Sequence, residues 1–369
     1  MTEIEIGRGK SGRRSYGLDD VSLVPSKRTR ETGLVDLGWQ IDAYEFSLPV
    51  IGAAMDSVTS PDTAVELDRI GGLGVLDLEG VWTRHGDAGD KLAELGSMDE
   101  SAAVDQLRAW HATPVDPDLV RQRIGELKAA GGYAAGAVSP RSVAGLAPTL
   151  LKAELDLLVV YGTVISAEHV STNPDALNLK QFVRELETPV IVGGCASYQA
   201  ALHLMRTGAA GVLVGIDSGV TATSRSVAGL GSGMATAIAD VQAARMRHLD
   251  ETGVYVHVIA NGGMRTGGDM AKAIACGADA VMLGAALTAA TEAPGRGWHW
   301  GRSLVHENLP QGRLMRVEQL APLEVVLNGP SPLADGRLNL CGALRHSMAA
   351  LGYQSVKDLQ KAELVVTRG

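Results

Sequence analysis

Residues 255–286 read YVHVIANGGMRTGGDMAKAIACGADAVMLGAA, and this stretch decides the fold. An apolar run, Tyr255–Ala260, leads through a Gly-rich turn into a helical segment over Gly268–Cys276, which stops at Gly277 and precedes a second apolar run, Ala280–Gly284. Both runs are continuously apolar rather than alternating, which is typical of strands buried on both faces of a parallel sheet. The stretch therefore predicts one strand–helix–strand unit.

The same unit recurs along the whole chain. Six further apolar runs of strand length precede it: Pro49–Met55, Gly72–Leu76, Tyr133–Val138, Asp156–Val160, Val190–Gly194 and Gly211–Gly215. Helical segments lie between them, over Asp62–Ile70, Leu119–Ala130, Leu177–Glu187, Gln199–Thr207 and Ala235–Leu249. Eight strand–helix units in 369 residues favour an α/β fold of the (β/α)8 TIM-barrel type. An open Rossmann-like sheet is the alternative, but its G-x-G-x-x-G fingerprint is missing after the first strand.

Composition limits the function classes. Hydrophobic residues make up 46% of the chain, enough for a sizeable core, so a largely disordered protein is excluded. The formal net charge of −9, without a dense Lys/Arg block, argues against a nucleic-acid partner. Three scattered cysteines fit a reducing compartment. With no signal peptide and no apolar run long enough for a membrane span, we expect a cytoplasmic protein that does not enter membranes.

Two segments interrupt the strand–helix pattern. Residues 84–118 are polar and too short for a domain, so they predict a helical connection, and we expect a single barrel domain over 1–369. Residues 292–332 form a long loop region rich in Gly and Pro. Loops of this length are usually functional, and Trp298, His299 and Trp300 favour a lid that docks on another part of the protein. A surface loop on the barrel or at a subunit contact is the other interpretation.

Three Gly-rich loops follow the last three predicted strands. They are Gly215–Gly219, Ile259–Gly263 and Met282–Ala286. In a barrel of this type, chemistry takes place at the carboxyl ends of the strands, and a phosphate commonly binds near the last two. Glycines there allow backbone N–H groups to face an anion. The loops predict a phosphorylated ligand, with tight turns that bind nothing as the alternative.

Ordered sequence motifs extend from about residue 16 to about residue 365. They are Tyr16–Pro25, Ala53–Thr59, Gly71–Val75, Met205–Ala209, Val214–Ile216, Arg225–Gly229, Ile259–Gly263 and Cys276–Gly284. Together they resemble the IMP dehydrogenase/GMP reductase family. The chain looks closest to the short bacterial members of that family, which lack the two CBS modules inserted after the second strand. Residues 84–118 leave no room for that pair.

The resemblance implies a TIM barrel, usually a homotetramer, that acts on the base of IMP, XMP or GMP. NAD or NADP is the implied cofactor, and a purine nucleoside monophosphate is the implied partner. In this family a Cys in the loop after the sixth strand, within a G-x-G-x-x-C-T-T pattern, adds to purine C2. Hydride exchange and hydrolysis of a thioimidate follow, and in the reductases the 2-amino group leaves first. A soft thiolate suits C2, which is only weakly electrophilic.

Several positions of the implied site depart from the family pattern. Ala222 stands at the nucleophile position, and a methyl group cannot form the adduct. Val220 and Ala285 stand where the family has phosphate-binding Ser residues, and Asn261 replaces the Asp that holds the ribose hydroxyls. Tyr161 falls where dehydrogenases have an Asp on the cofactor ribose, so it is the candidate cofactor-binding residue.

Other positions keep the family pattern. Ser224 matches the hydroxyl that follows the nucleophile, and Gln311 matches the residue that contacts the base, where an uncharged amide fits a hypoxanthine-type edge. The candidate substrate-binding residues are Met55, Gly219, Asn261, Gly262, Gly263, Gly284 and Gln311. No metal site is predicted.

Four further groups have two interpretations each. Cys195, the only Cys at the predicted barrel mouth, is either a substitute nucleophile or a small buried apolar residue. Asp217 and His299 are either an acid or base near the pocket or structural polar groups. Asp56 is expected to be a structural carboxylate, with Arg225 pairing with it or approaching the phosphate.

These departures leave two functions open. The first is an NAD(P)-linked purine-nucleotide oxidoreductase of this family with an altered substrate or an altered chemistry, such as hydride transfer without a covalent intermediate. The second is a catalytically inactive paralogue that binds or senses a purine nucleotide.

Overall fold

The computed structural model describes residues 3–172, 177–216, 218–305 and 312–367. In this part of the chain, nine parallel strands form one sheet around the centre. Two of them, Leu73–Gly74 and Leu76–Asp77, are halves of one strand joined by Val75, whose N–H donates to the carbonyl of Gly52 over 3.3 Å. The sheet therefore closes into an eight-stranded barrel, which confirms the predicted TIM-barrel fold and excludes the open sheet.

The eight barrel strands fall on the eight predicted runs. They are β1 (Val50–Gly52), β2 (Leu73–Gly74 with Leu76–Asp77), β3 (Ala135–Val138), β4 (Leu157–Tyr161), β5 (Val190–Cys195), β6 (Gly211–Val214), β7 (His257–Asn261) and β8 (Ala280–Leu283). Each strand pairs in parallel with its neighbours along the chain, and β8 pairs with β1.

Helices surround the barrel. They are α1 (Pro61–Ile70), α2 (Ala88–Leu95), α3 (Glu100–Ala112), α4 (Pro117–Ala129), α5 (Pro140–Lys152), α6 (Leu179–Glu185), α7 (Tyr198–Met205), α8 (Ser224–Val227), α9 (Met234–Thr252), α10 (Gly267–Ala275), α11 (Leu323–Asn328), α12 (Leu340–Leu351) and α13 (Val356–Leu359). The α2 and α3 helices confirm the predicted helical connection over 84–118. Gly71 ends α1 in the left-handed region, with φ of 107°, as the predicted helix stop requires.

Short antiparallel strands pair outside the barrel. Glu3–Gly7 pairs with Lys10–Arg13, Val21–Leu23 with Leu364–Val366, Trp39–Ile41 with Tyr44–Phe46, and Trp298–His299 with Met315–Arg316. Trp39, Ile41 and Phe46 belong to the same apolar cluster as the barrel interior, so this hairpin closes the amino-terminal end of the barrel.

The strands are continuously apolar because both of their faces are buried. The inward side chains are Ile51, Leu73, Val75, Ala135, Ala137, Leu157, Val159, Ile191, Leu213, Ile259, Ala280 and Met282. The residues between them, such as Val190, Val192, Val212 and Val214, pack outward against the helices. With its interior filled and its amino-terminal end closed, the barrel leaves the carboxyl end of the strands for a ligand.

The long region after β8 packs against the connection between β2 and β3. Trp298 and Trp300 are buried in a cluster with Leu92, Leu107 and Trp110 of α2 and α3. The indole Nε1–H of Trp298 donates to the carbonyl of Leu95 over 3.0 Å. The region is also less irregular than predicted, since it contains a short strand pair and helix α11. Whether it acts as a lid stays a prediction.

Candidate functional site

A cavity of about 1120 Å³ lies at the carboxyl ends of the barrel strands. Strand ends supply Asp77, Tyr161 and Asn261 to its wall, and the loop after β6 supplies residues from Ser218 to Ser224. The segment after β8 adds Gly284, His299 and Gly301–Ser303. The cavity thus occupies the place where the sequence predicts a ligand.

The three predicted Gly-rich loops meet at this cavity. Gly219, Gly262, Gly263 and Gly284 all line it. Gly262 and Gly263 have φ of 81° and 80°, a backbone conformation that side-chain-bearing residues rarely adopt. The Ser218 hydroxyl donates to the carbonyl of Asn261 over 2.6 Å and ties the loop after β6 to the end of β7. Backbone groups of several loops therefore surround one space.

The loop after β6 also carries the predicted nucleophile position. Ala222 is half-buried and lines the cavity, and its N–H donates to the carbonyl of Gly219 over 3.1 Å. Ser224 is buried at the start of α8 and lines the cavity as well. Val220 and Ala285 also line the cavity. Three of the residues that depart from the family pattern, Ala222, Val220 and Ala285, thus line the same cavity.

Met55, Gly284 and His299 form the neighbouring wall. A Cβ atom added to Gly284 would lie 3.6 Å from Sδ of Met55 and 3.7 Å from Cε1 of His299. Gly301 approaches the same wall, because a Cβ there would lie 3.5 Å from Oγ1 of Thr221. The segment that carries His299 therefore approaches, at Gly301, the loop that carries Ala222.

The imidazole of His299 is almost completely buried, with 2% of the residue exposed. Its Nδ1 lies 3.0 Å from the hydroxyl of Ser57. Burial disfavours the charged ring and lowers the pKa of His299 from 6.5 to about 4. The ring is therefore neutral at pH 7.

This buried imidazole predicts a loss of stability in acid. An unfolded chain takes up a proton near pH 6.5 that His299 in the folded chain accepts only near pH 4. The contribution of His299 is therefore complete above pH 6.5 and is lost as the pH falls to 4, by about 3 kcal/mol. Between pH 6.5 and pH 4, the free energy of unfolding measured in urea should fall less for His299→Phe than for the wild type. Replacement of the exposed His346 by Gln should leave the decline unchanged, and an equal decline in all three proteins would contradict the prediction.

Arg302 crosses the mouth of the cavity and binds two carboxylates. Its Nε donates to Asp77 over 2.8 Å, a second bond joins Nη2 to the same carboxylate, and Nη1 donates to Glu79 over 3.0 Å. Burial opposes the charge of Arg302, but Asp77 and Glu79 outweigh it and raise the pKa of Arg302 above its usual value. Ser139 and Ser142 donate to the remaining positions of Glu79. Both carboxylates are thus engaged within the protein.

Tyr161, at the end of β4, lines the cavity beside this network. Its ring centroid lies 5.8 Å from the guanidinium carbon of Arg302, within the range of a cation–π contact. The candidate cofactor-binding residue therefore faces the same cavity as the Gly-rich loops, at the side where Arg302 holds Asp77 and Glu79.

Asp56 is a buried structural carboxylate, as expected, but its partner differs from the prediction. It accepts hydrogen bonds from the Val81 N–H over 3.0 Å and from Nε2 of His111 over 3.1 Å. Arg225 is exposed on α8. Of the two alternatives for Arg225, pairing with Asp56 is therefore wrong, because His111 of α3 binds this carboxylate instead. The approach of Arg225 to a phosphate stays a prediction.

Cys195 does not line the cavity. It is 1% exposed, its thiol donates to the carbonyl of Leu213 over 3.6 Å, and burial raises its pKa to about 12. A buried thiol with this pKa supplies almost no thiolate at neutral pH. This geometry argues for Cys195 as a packing residue and against it as a substitute nucleophile. The other two cysteines, Cys276 and Cys341, are also buried.

Two sequence predictions fall outside the part of the chain that the structure describes: Gln311, the expected contact to the base, and Asp217. Within the described ranges, no group of three or more His, Cys, Asp or Glu residues is arranged to hold a metal ion. None of the helices described is both long enough and apolar enough to pass through a membrane.

Sequence reasoning missed the charged groups at the cavity. Arg302, Asp77, Glu79 and His111 all line it. Asp77 is the last residue of β2 and Glu79 lies two residues beyond it, so their position at a strand end was a usable signal. Arg302 and His111 come from connecting segments, and no local pattern indicates that they return to the barrel mouth.

Comparisons with known proteins agree with this geometry. A family model described as the IMP dehydrogenase/GMP reductase domain matches residues 15–306. A solved structure of an IMP dehydrogenase/GMP reductase-like protein from Corynebacterium glutamicum is 44% identical, covers 99% of this chain and 98% of that one, and superposes with a TM-score of 0.93.

Protein relatives extend the comparison. A Mycolicibacterium smegmatis protein named an uncharacterized oxidoreductase is 49% identical over 373 residues, covering 98% of this chain and 99% of that protein. The inosine-5'-monophosphate dehydrogenase of Methanocaldococcus jannaschii is 26% identical over 477 residues, covering 96% of this chain and 93% of that protein.

Proposed function

The chain belongs to the IMP dehydrogenase/GMP reductase family, and from this premise we propose that it is an NAD(P)-linked oxidoreductase of a purine nucleoside monophosphate. The observation that carries the proposal is the convergence of Gly219, Gly262, Gly263 and Gly284 on one large cavity. Backbone N–H groups in such loops bind phosphate. We assign Met55, which lines the same cavity, to the base of the nucleotide. The homotetramer that the resemblance implies is part of the same proposal.

The size of the cavity supports two ligands rather than one. Pockets for a single small molecule usually measure about 300 to 1,000 Å³. At about 1120 Å³, this cavity exceeds that range. Its Gly-rich side fits the nucleotide, and the side near Tyr161 offers an aromatic face for a nicotinamide cofactor, which supplies the hydride acceptor or donor when bound. Asp77 and Glu79 are engaged by Arg302, so Tyr161 is the residue we assign to the cofactor.

The missing sulfur changes the chemistry that the site can perform. Ala222 cannot divide the reaction into an adduct step and a hydrolysis step. Oxidation at C2 of an IMP-type base would instead take its oxygen directly from water, with one hydride leaving C2 and one proton released overall. Ser224, two residues after Ala222, also lines the cavity, and we assign its hydroxyl to orient such a water.

Ala222 also favours a second candidate function. Ala222 removes the nucleophile, and the described cysteines, Cys195, Cys276 and Cys341, are buried with pKa values raised to about 12. A protein that keeps the nucleotide cavity but has no reactive thiol suits a nucleotide-binding or regulatory paralogue. In this case the ligand would bind without turnover.

Gly219→Val tests the nucleotide site. A Cβ at Gly219 would meet no atom within 4 Å, so the side chain fits the fold while it fills the space expected for phosphate. Calorimetry with IMP, XMP and GMP should show binding to the wild type that weakens about 100-fold or more in the variant. The free energy of unfolding of the variant should differ from that of the wild type by less than about 0.5 kcal/mol. Gly125→Val on α4, where a Cβ also meets nothing, is the matched control and should bind normally.

Turnover separates the two candidate functions. Absorbance assays should pair each monophosphate with NAD+ and with NADPH. Reaction with any pair supports the oxidoreductase, and binding without reaction supports the regulatory paralogue. Failure of the wild type to bind any of the three monophosphates would overturn both.

A further inference from the structure

His299 is held rigidly at the cavity wall. Its short strand, Trp298–His299, pairs with Met315–Arg316. The neighbouring Trp298 is fixed on one side by its hydrogen bond to Leu95 and on the other by the Arg316 guanidinium, 3.6 Å from its ring centroid. The imidazole therefore has a defined position, and its two nitrogen atoms can be considered separately.

The hydrogen bonds of Ser57 determine which nitrogen of His299 carries the proton. The Ser57 hydroxyl donates to the carbonyl of Trp300 over 3.1 Å and accepts from the Trp300 N–H over 3.4 Å. A hydroxyl has only one proton, and a buried carbonyl left without a donor is costly. Ser57 must therefore accept from Nδ1 of His299, which places the proton of the neutral ring on Nδ1.

The Nε2 atom of His299 is left as an acceptor. No hydrogen bond joins it to any of the residues that the structure describes, and His299 lines the cavity. The adjacent ring carbon Cε1 would lie 3.7 Å from a Cβ atom added to Gly284, and the sulfur of Met55 would lie 3.6 Å from the same Cβ. Because the ring stays neutral at pH 7, the lone pair of Nε2 remains available.

We propose that His299 Nε2 is a specificity-determining contact, which accepts a hydrogen bond from an N–H group on the base of the bound nucleotide. The inference rests on the proposed function and narrows its ligand to purine monophosphates that carry an N–H donor on the base. Hypoxanthine and guanine carry such a donor at N1, and guanine carries a second at its 2-amino group. A base without any donor would leave Nε2 unpaired.

Calorimetry with matched ligands tests this contact in the full chain. The probes are IMP, GMP and purine riboside 5'-monophosphate, whose base has the same ring system but no N–H donor. His299→Phe keeps a ring in the cavity, and Ser57 keeps both of its bonds to Trp300. We expect the variant to bind IMP and GMP about 10- to 100-fold more weakly and purine riboside 5'-monophosphate with unchanged affinity.

Two further variants distinguish the hydrogen bond at His299 Nε2 from a general loss of affinity caused by changing a buried side chain. Ser57→Ala leaves Nε2 in place but no longer holds the proton of His299 on Nδ1. It should therefore weaken the binding of IMP and GMP less than His299→Phe does. His248→Phe replaces another buried imidazole, on α9, and should leave the affinities for the three ligands unchanged. If His299→Phe weakened the binding of all three ligands equally, His299 would only shape the cavity, and the inference would be overturned.

Nitrogen-15 NMR of the ligand-free protein distinguishes this inference from the proposed function. The spectrum should show Nδ1 protonated and Nε2 unprotonated. A proton on Nε2 would overturn this inference alone, even if nucleotides bind. Failure of the wild type to bind any of the three monophosphates would overturn the proposed function and, with it, the ligand class assigned here.

Discussion

Replacement of Arg302 by Met is expected to lower the free energy of unfolding by about 3 kcal/mol. The substitution leaves the carboxylates of Asp77 and Glu79 close together without a cation between them. Removal of one partner from a buried ion pair costs about 3 to 5 kcal/mol, because the remaining charge stays desolvated. Urea unfolding measures the effect.

The lower end of that range applies because cavity water reaches the network. The side chain of Asp77 is 5% exposed, but those of Arg302 and Glu79 are 18% and 17% exposed. The loss should also loosen the segment around Arg302, which joins the region after β8 to the ends of β2 and β3. Hydrogen exchange at Trp300 and Leu304 should therefore increase in the variant.

An exposed ion pair is the matched control for this prediction. Arg337 contacts Asp335 and Glu318 on the surface, so Arg337→Met should lower the free energy of unfolding much less than Arg302→Met does. Adding Asp77→Asn and Glu79→Gln to Arg302→Met removes the unpaired charges and should recover part of the stability. A triple variant no more stable than Arg302→Met would show that the packing of Arg302, rather than its charge, stabilises the cavity mouth.

The barrel could be predicted because its strands carry a local signal. Val190–Cys195 and Gly211–Val214 are apolar on both faces, and each covers a run that reads as a buried strand in the sequence. The Gly-rich loops carry a local signal as well, since Gly262 and Gly263 need positive φ at the end of a strand. Chain order alone then brings these loops to one end of a closed sheet.

Features that depend on long-range packing could not be predicted in this way. Helix α5 is absent from the predicted helical segments. It contains two prolines: Pro140 suits the first turn, and Pro148 is accommodated within the helix. The Arg302–Asp77 pair joins residues 225 positions apart, and His111 reaches Asp56 across 55 positions. Neither pair has a sequence pattern that specifies its partner.

Replacement of Ala222 by Cys is expected to change the protein from unreactive to covalently labelled by 6-chloropurine riboside 5'-monophosphate. Ala222 lines the cavity between Gly219 and Ser224, so a thiol at this position would face the bound base. Attack on C6 forms a carbon–sulfur bond, expels chloride and releases the thiol proton. Intact-mass spectrometry should show one nucleotide per chain, and an excess of IMP should prevent the labelling.

The wild type should not be labelled in this experiment because its own thiols are unreactive. Cys195, Cys276 and Cys341 are buried, and desolvation raises the pKa of each to about 12. Ala228→Cys is the matched control, since it places an exposed thiol at the rim of the same cavity. It should react with iodoacetamide but much more slowly with the nucleotide, because reaction there lacks the orientation that binding provides.

The result would locate the cause of any missing activity. An adduct with Ala222→Cys but not with Ala228→Cys would mean that the cavity still holds a purine nucleotide with its base against position 222. If the wild type then binds IMP without turnover, the absent sulfur accounts for the lost reaction, and the regulatory function is favoured. If Ala222→Cys forms no adduct although IMP binds, the base lies elsewhere in the cavity. The water-based oxidation beside Ser224 would then lose its geometric basis.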